Sequence, residues 1–298
     1  MSTRGTKKAV GALTGLLILG ACAGAEGGDE LGIAAGFYPL EFLTQEIAGR
    51  NTTVANVTPS GAEPHDIELT SGQLRAMVEA DLLVYLGGGF QPAVEEIAAD
   101  LGDKAFDVAE VRPPLGESEQ ESEAAEDDAR DPHLWLDPMI MSDIAEELAV
   151  RLGEIDPENA TAYSDRADAL ANRLEALDED FAAGLRRCER REFVTSHEAF
   201  GYLARRYDLT QIGVSGLDPE VEPSPQRVAE VADYVEEHDV TTIFFEELLP
   251  ADIAQTIAKE TGAKTAILNP LESEPDSGDY FDEMRANLRA LRDALNCA

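Results

Sequence analysis

The chain reads as α/β, with two parallel-sheet lobes joined by a long rigid backbone helix. Three observations predict this. Eight short runs rich in β-branched and other apolar residues alternate with helix-period stretches, the runs fall into two groups of four, and between the groups lies a stretch almost free of helix breakers. Alternation of strand and helix implies crossover connections, hence parallel sheets covered on both faces. At 298 residues with 44% hydrophobic content, the chain can fill two ordinary cores.

Residues 1–21 read as a lipoprotein signal peptide. Arg4, Lys7 and Lys8 precede an uncharged stretch from Ala9 to Ala21 that ends in Leu19-Gly20-Ala21-Cys22. The stretch is shorter than the roughly 20 apolar residues a spanning helix needs, so it is an export signal and not itself an anchor. Cys22 would then be the lipid attachment site, and the expected location is the extracytoplasmic face of the cell membrane. Cleavage removes three basic residues and no acidic one, taking the formal charge from −37 to −40 with 20 Lys and Arg against 60 Asp and Glu. Such a chain disfavours nucleic acid as a partner and favours cations, and it equally suits a solvated surface in a salty medium.

The N-terminal lobe, residues 22–154, holds strand-like runs at Leu31–Phe37, Thr53–Val57, Leu82–Leu86 and Lys104–Val108. Within it, 117–131 carries eight acidic residues and one basic, with no large apolar side chain, and reads as a charged loop without a core of its own. Residues 155–187 form the linking segment. From Pro157 to Arg187 there is no further proline and one glycine near the end, which predicts a single long helix. The C-terminal lobe, 188–298, repeats the pattern at Glu192–Ser196, Thr210–Val214, Val240–Phe245 and Lys264–Leu268. Apart from Cys22, only Cys188 and Cys297 are cysteines, and in an oxidising compartment they are expected to pair, two free thiols being the alternative.

Three of the four histidines stand in punctuated strings: Glu63-Pro64-His65-Asp66, Asp131-Pro132-His133-Leu134-Trp135-Leu136-Asp137-Pro138, and Thr195-Ser196-His197-Glu198-Ala199-Phe200. His65 follows the second strand, His197 the fifth, and His133 lies just before Asp137-Pro138, a helix cap followed by a first-turn proline. Ligands of open parallel sheets bind beyond the carboxyl ends of strands. The three imidazoles therefore read as one metal site suited to zinc and its transition-series neighbours. Its affinity should fall as pH drops through about 6, where imidazoles take up protons. His238, in a charged helical run, reads as a surface residue.

The lipobox, Gly36-Phe37-Tyr38-Pro39, Pro64-His65-Asp66, His133-Leu134-Trp135-Leu136-Asp137-Pro138 and Ser196-His197-Glu198-Ala199-Phe200 together resemble the metal-binding lipoproteins of ABC importers, the cluster A-I solute-binding proteins. The resemblance covers nearly the whole mature chain. It implies a monomer that buries a metal between two lobes and delivers it to a membrane permease. Histidine at position 197 resembles the zinc carriers, since manganese carriers of the family commonly have glutamate there; Mn2+ or Fe2+ remain the alternative cargo. Two departures stand out. Where many members have an aspartate ligand after the last strand, this chain reads Leu268-Asn269-Pro270, which leaves water, Asn269 or Glu246 for the fourth position. The histidine-rich loop of many zinc carriers is replaced by the acidic loop 117–131. A zinc hydrolase is the rival reading of three histidines and a water, but no His-Glu-x-x-His string accompanies them, and no enzyme is expected. Surface adhesion, a label attached to some similar lipoproteins, has no dedicated sequence feature.

Overall fold

In the computed structural model, residues 1–2, 31–49, 52–111, 131–248 and 251–298 are described; Cys22, with most of the export signal, and 117–130 of the acidic loop lie outside the described residues. The first sheet is built from β1 (Gly32–Ala35), β2 (Thr53–Asn56), β3 (Leu82–Tyr85) and β4 (Ala105–Asp107), interleaved with α1 (Tyr38–Ala48), α2 (Ser71–Glu79), α3 (Pro92–Leu101) and the single turn α4 (Val108–Val111). Two long helices follow, α5 (Pro138–Ile155) and α6 (Ala160–Leu185). The second sheet has β5 (Glu192–Thr195), β6 (Thr210–Gly213), β7 (Thr242–Phe245) and β8 (Lys264–Ile267), with α7 (Gly201–Arg206), α8 (Pro225–Glu237), α9 (Asp252–Thr261) and α10 (Tyr280–Leu295).

Both sheets are wholly parallel and share one plan. Their orders are β2-β1-β3-β4 and β6-β5-β7-β8. In each, the chain steps from the inner strand to one edge, then crosses back to the other side, so the connections diverge at β1/β3 and at β5/β7. Such switch points open a crevice at the carboxyl ends of the strands. All eight expected strands form, each one to three residues shorter than its apolar run. The surplus residues at several carboxyl ends, among them Val57, Leu86, Ser196 and Leu268, leave the ladder to begin the loops that build the site.

The helix expected over 157–187 runs from Ala160 to Leu185, about 39 Å at 1.5 Å per residue. Its buried residues Tyr163, Ala167, Leu170, Leu174, Leu177, Phe181 and Leu185 recur every three or four positions, one apolar stripe on an otherwise polar helix. That stripe belongs to the main core, which runs continuously from Phe37 and Leu43 through Leu148 and Leu174 to Phe200 and Leu291. Smaller clusters around Val57 and Met77, and around Val231 and Ile257, fill the far faces of the two sheets. Polar contacts fasten α6 at both ends of its span: Arg166 donates to the Ala48 carbonyl at 3.0 Å, and Asp178 accepts from Arg206 at 2.5 Å.

Cys188 and Cys297 form a disulfide that closes 109 residues of chain. It pins the end of α10 beside the start of the second lobe, where the Ala298 amide also donates to the Arg187 carbonyl. A closed loop of this length is worth about 4–5 kcal/mol through the entropy it removes from the unfolded chain. Among the described residues, no helix is long and apolar enough to cross a membrane.

Candidate metal centre

His65, His133 and His197 converge. Together with Glu272 they offer one ligand atom each, all within 4.8 Å of one another. His133 and His197 face each other with Nε2 atoms 3.3 Å apart; Glu272 Oε1 lies 3.4 Å from the Nε2 atoms of His65 and His133 and 3.9 Å from that of His197. Ligands bound at 2.0–2.1 Å in a tetrahedron stand about 3.3–3.4 Å apart. Three of these four edges match that spacing.

Two of the three imidazoles are held from behind by a carboxylate. The Asp131 carboxylate accepts from both the backbone amide and Nδ1 of His133, at 2.9 and 2.8 Å, a bend that turns the chain into the 3-10 turn Leu134–Leu136. Asp137 then caps α5, accepting from the Met139 amide at 2.8 Å, with Pro138 in the first turn as expected. Glu246, at the end of β7, accepts from His197 Nδ1 at 2.6 Å across the β5/β7 switch point, and from Ser196 Oγ at 2.6 Å. A hydrogen on Nδ1 leaves the Nε2 lone pair for a cation, so Asp131 and Glu246 fix the useful tautomer. Ser196 and His197 thus meet at the same carboxylate oxygen of Glu246.

His65 is placed more indirectly. Gln91, fully buried after β3, donates from Nε2 to Thr58 Oγ1 at 2.9 Å and to the Pro64 carbonyl at 3.3 Å, gathering the loop after β2. Gly36 makes room for it: a Cβ there would fall 2.6 Å from Gln91 Oε1. The His65 ring packs edge-on against Phe90 at 4.6 Å between centroids.

The side chain at the fourth corner differs from expectation. Asn269 is turned away: its Oδ1 accepts from the Leu271 amide at 2.8 Å, and its backbone is bound by Asn287. Glu246 stands behind His197. Glu272 occupies the position, as the first carboxylate after β8, which is the one signal that could have found it. His238 stacks on Tyr234 at 4.0 Å on the surface, away from the cluster.

Burial and charge make the cluster receptive to a cation. His133 and His197 are fully buried, and Glu272 is 2% exposed. Burial alone would raise the Glu272 carboxyl, but hydrogen bonds from His133 and His65 and the nearby His197 charge hold it well below the usual carboxylate range. Burial would lower His133, yet its bonds to Asp131 and Glu272 win and lift the imidazole to about 9. Burial and the Glu272 charge together push Glu63 up to about 8. Glu272 Oε2 is buried without a hydrogen bond, a cost that a bound cation would remove.

A family model described as "Zinc-uptake complex component A periplasmic" matches residues 33–294. The chain belongs to that family. Members of the ZnuA family are solute-binding components of transport, extracytoplasmic by the model's description. The chain is 34% identical to the high-affinity zinc uptake system protein ZnuA of Bacillus subtilis over 282 residues, covering 90% of this chain and 88% of that one. The laminin-binding adhesin Lmb of Streptococcus agalactiae, solved as a mutant, superposes with a TM-score of 0.81 at 33% identity, over 89% of this chain and 99% of that one. A Zn(II)-bound point variant of AdcAII from Streptococcus pneumoniae gives a TM-score of 0.81 at 30% identity, over 89% and 98%. Against AdcA of Streptococcus pyogenes the match spans 86% of this chain but 54% of that one.

One side of this ZnuA-family centre is open. A cleft of about 400 Å3 reaches His65 and is bounded by Asp66, Phe90, Leu217, Asp218 and Glu220. His65 is the ligand candidate exposed to it, its side chain 11% accessible, while the other three are sealed by protein.

Proposed function

We propose that the protein captures zinc on His65, His133, His197 and Glu272 and delivers it to the permease of an ABC-type importer. It would do so as a monomer tethered to the extracytoplasmic face of the membrane through a lipid on Cys22. The observation that supports this best is the convergence of three imidazoles and one carboxylate oxygen within 4.8 Å, three of their separations being of tetrahedral length. Three neutral imidazoles favour zinc over manganese or iron, whose sites are richer in oxygen; copper and nickel would bind in a tube as well, so availability shares in selectivity. The acidic rim of Asp66, Asp218 and Glu220 concentrates divalent cations at the mouth.

The arrangement favours binding over catalysis. A catalytic zinc keeps one position for water, whereas four protein donors close the coordination shell. With the shell closed, no position remains for a hydrolase's activated water.

Competitive titration of residues 23–298 with zinc and manganese at pH 7.5, repeated with His197→Ala, tests the proposal. One tight zinc equivalent, weakened severely by the substitution, is expected. Tighter manganese binding, or indifference to His197→Ala, would reject it.

A further inference from the structure

The loop that carries Glu272 is bonded far more fully than a strand-to-helix connection needs. After β8 ends at Ile267, the Leu268 amide still donates to the Phe245 carbonyl of β7 at 3.1 Å, but residues 269–273 belong to no strand, so their backbone groups must find other partners. Asn287 of α10, 2% exposed, donates from Nδ2 to the Asn269 carbonyl at 2.6 Å and accepts from the Asn269 amide at 2.9 Å. The Asn269 side chain in turn accepts from the Leu271 amide. Leu271 sits buried at φ 59°, in the left-handed region that a side chain rarely adopts. This backbone setting aims the next residue, Glu272, back at the histidines.

Two further bonds tie the loop to the segments carrying the other ligands. Trp135, fully buried two residues beyond His133, donates from its indole nitrogen to the Pro270 carbonyl at 2.6 Å, and Tyr280 Oη–H donates to the Trp135 carbonyl at 2.7 Å. Ser273 Oγ accepts from the Gly61 amide at 2.7 Å, in the loop that leads to His65. Glu272 thus lies between anchors at positions 269–271 and 273. A glutamate has several freely rotating bonds, and a fixed backbone removes much of the freedom that a ligand otherwise loses on binding.

We infer that Trp135 and Asn287 are positioning residues for Glu272, and that their effect on metal binding passes through that carboxylate. The inference rests on the four-ligand reading above. It differs from a purely structural role in a measurable way: a structural residue changes stability in any background, whereas a positioning residue loses its influence on the metal once Glu272 cannot coordinate as a carboxylate.

The test uses Trp135→Phe, which keeps an aromatic ring beside Phe37 and Phe90 but removes the indole donor, and Asn287→Asp, which keeps the acceptor and loses the donor. Zinc affinity is measured by chelator competition. Cobalt(II) absorption reports coordination, because four-coordinate cobalt absorbs more strongly than five- or six-coordinate cobalt. Each variant should weaken zinc binding roughly tenfold, the lower end for lost outer-shell partners of a metal site, and should dim the cobalt bands toward those of Glu272→Gln. Added to Glu272→Gln, either change should cost less than a further twofold. Native cobalt spectra in both variants, or losses that multiply fully with Glu272→Gln, would overturn the inference. If Glu272→Gln alone left zinc affinity and cobalt spectrum unchanged, the four-ligand reading would fall instead.

Discussion

The two sheets share one strand plan yet equip the site differently. The first lobe and the segment after it supply His65 and His133 against an aromatic wall, with Phe37, Phe90 and Trp135 in mutual contact at 4.7–5.2 Å. The second supplies His197 with Glu246 behind it and Glu272 beside it, and it alone of the two carries the disulfide. The first side adds an aromatic wall to the Asp131 carboxylate behind His133, and the second sets two buried carboxylates, Glu246 and Glu272, around His197. The first side shields the cluster from water, and the second brings the only carboxylate among the four candidate ligands, Glu272. A parallel sheet dictates where loops emerge and leaves their chemistry free.

The comparison can be broken most heavily at the disulfide. Replacing both Cys188 and Cys297 by serine should lower unfolding stability by about 4 kcal/mol through lost loop closure, measured by denaturant titration. Zinc affinity at 25 °C should hardly change, because Cys188 precedes β5 whereas the proposed ligand His197 follows its carboxyl end; a large loss would mean that the pinned terminus shapes the site. Next come the proposed ligands. His133→Ala should cost roughly a hundredfold or more in zinc affinity, ~3 kcal/mol, and more than Glu272→Gln, which keeps an oxygen donor and loses its charge. The reverse order in a chelator competition would shift the main energetic role to the second lobe.

Protons sharpen the contrast further. With His133 lifted to about 9 in the metal-free protein, zinc arriving at pH 7.5 must displace a proton from it. Affinity should therefore rise with pH, by up to about tenfold per unit for one displaced proton, until pH approaches 9. Calorimetry in two buffers of different ionisation enthalpy would reveal the released proton, and equal heats would contradict it. The sequence alone places this window near the ordinary imidazole range; Asp131 moves it upward.

The smallest effect lies between the lobes. The Arg206 guanidinium holds the Asp178 carboxyl below its usual range against the opposing effect of burial, and Tyr207 adds to this. A depressed native value contributes stability above the unfolded value near 4, and that stability is lost as pH falls through and below it. Asp178→Asn should thus cost about 0.5–1 kcal/mol at pH 7, in keeping with a partly exposed pair. Thermal melts at pH 7 and pH 3 should show the difference shrinking toward zero in acid.

Much of this was legible in the residues, and the reason is scarcity. Four histidines in 298 residues make each one informative, and three fell beside strand ends or a helix cap where side chains can converge. Glu272 was not legible because it is one of 60 acidic residues, most of which a solvated surface explains equally well. Its role depends on the left-handed turn at Leu271, braced by Asn287 of α10, which bonds Asn269 across 18 residues of sequence, and no local pattern encodes such a contact. Asn269 drew attention by its position just after β8. Its side-chain oxygen instead accepts from the Leu271 amide and shapes that same turn.

The partial exposure of His65 has a consequence for traffic. Among the described residues three of the proposed donors are walled in and one faces the acidic cleft, so a competing donor that enters by the cleft would meet and replace His65 before the others. Removal of the ion by an external chelator should then reach a ceiling rate set by how often that imidazole swings aside, however much chelator is present. The site would behave as a room with one door, whose latch is a histidine.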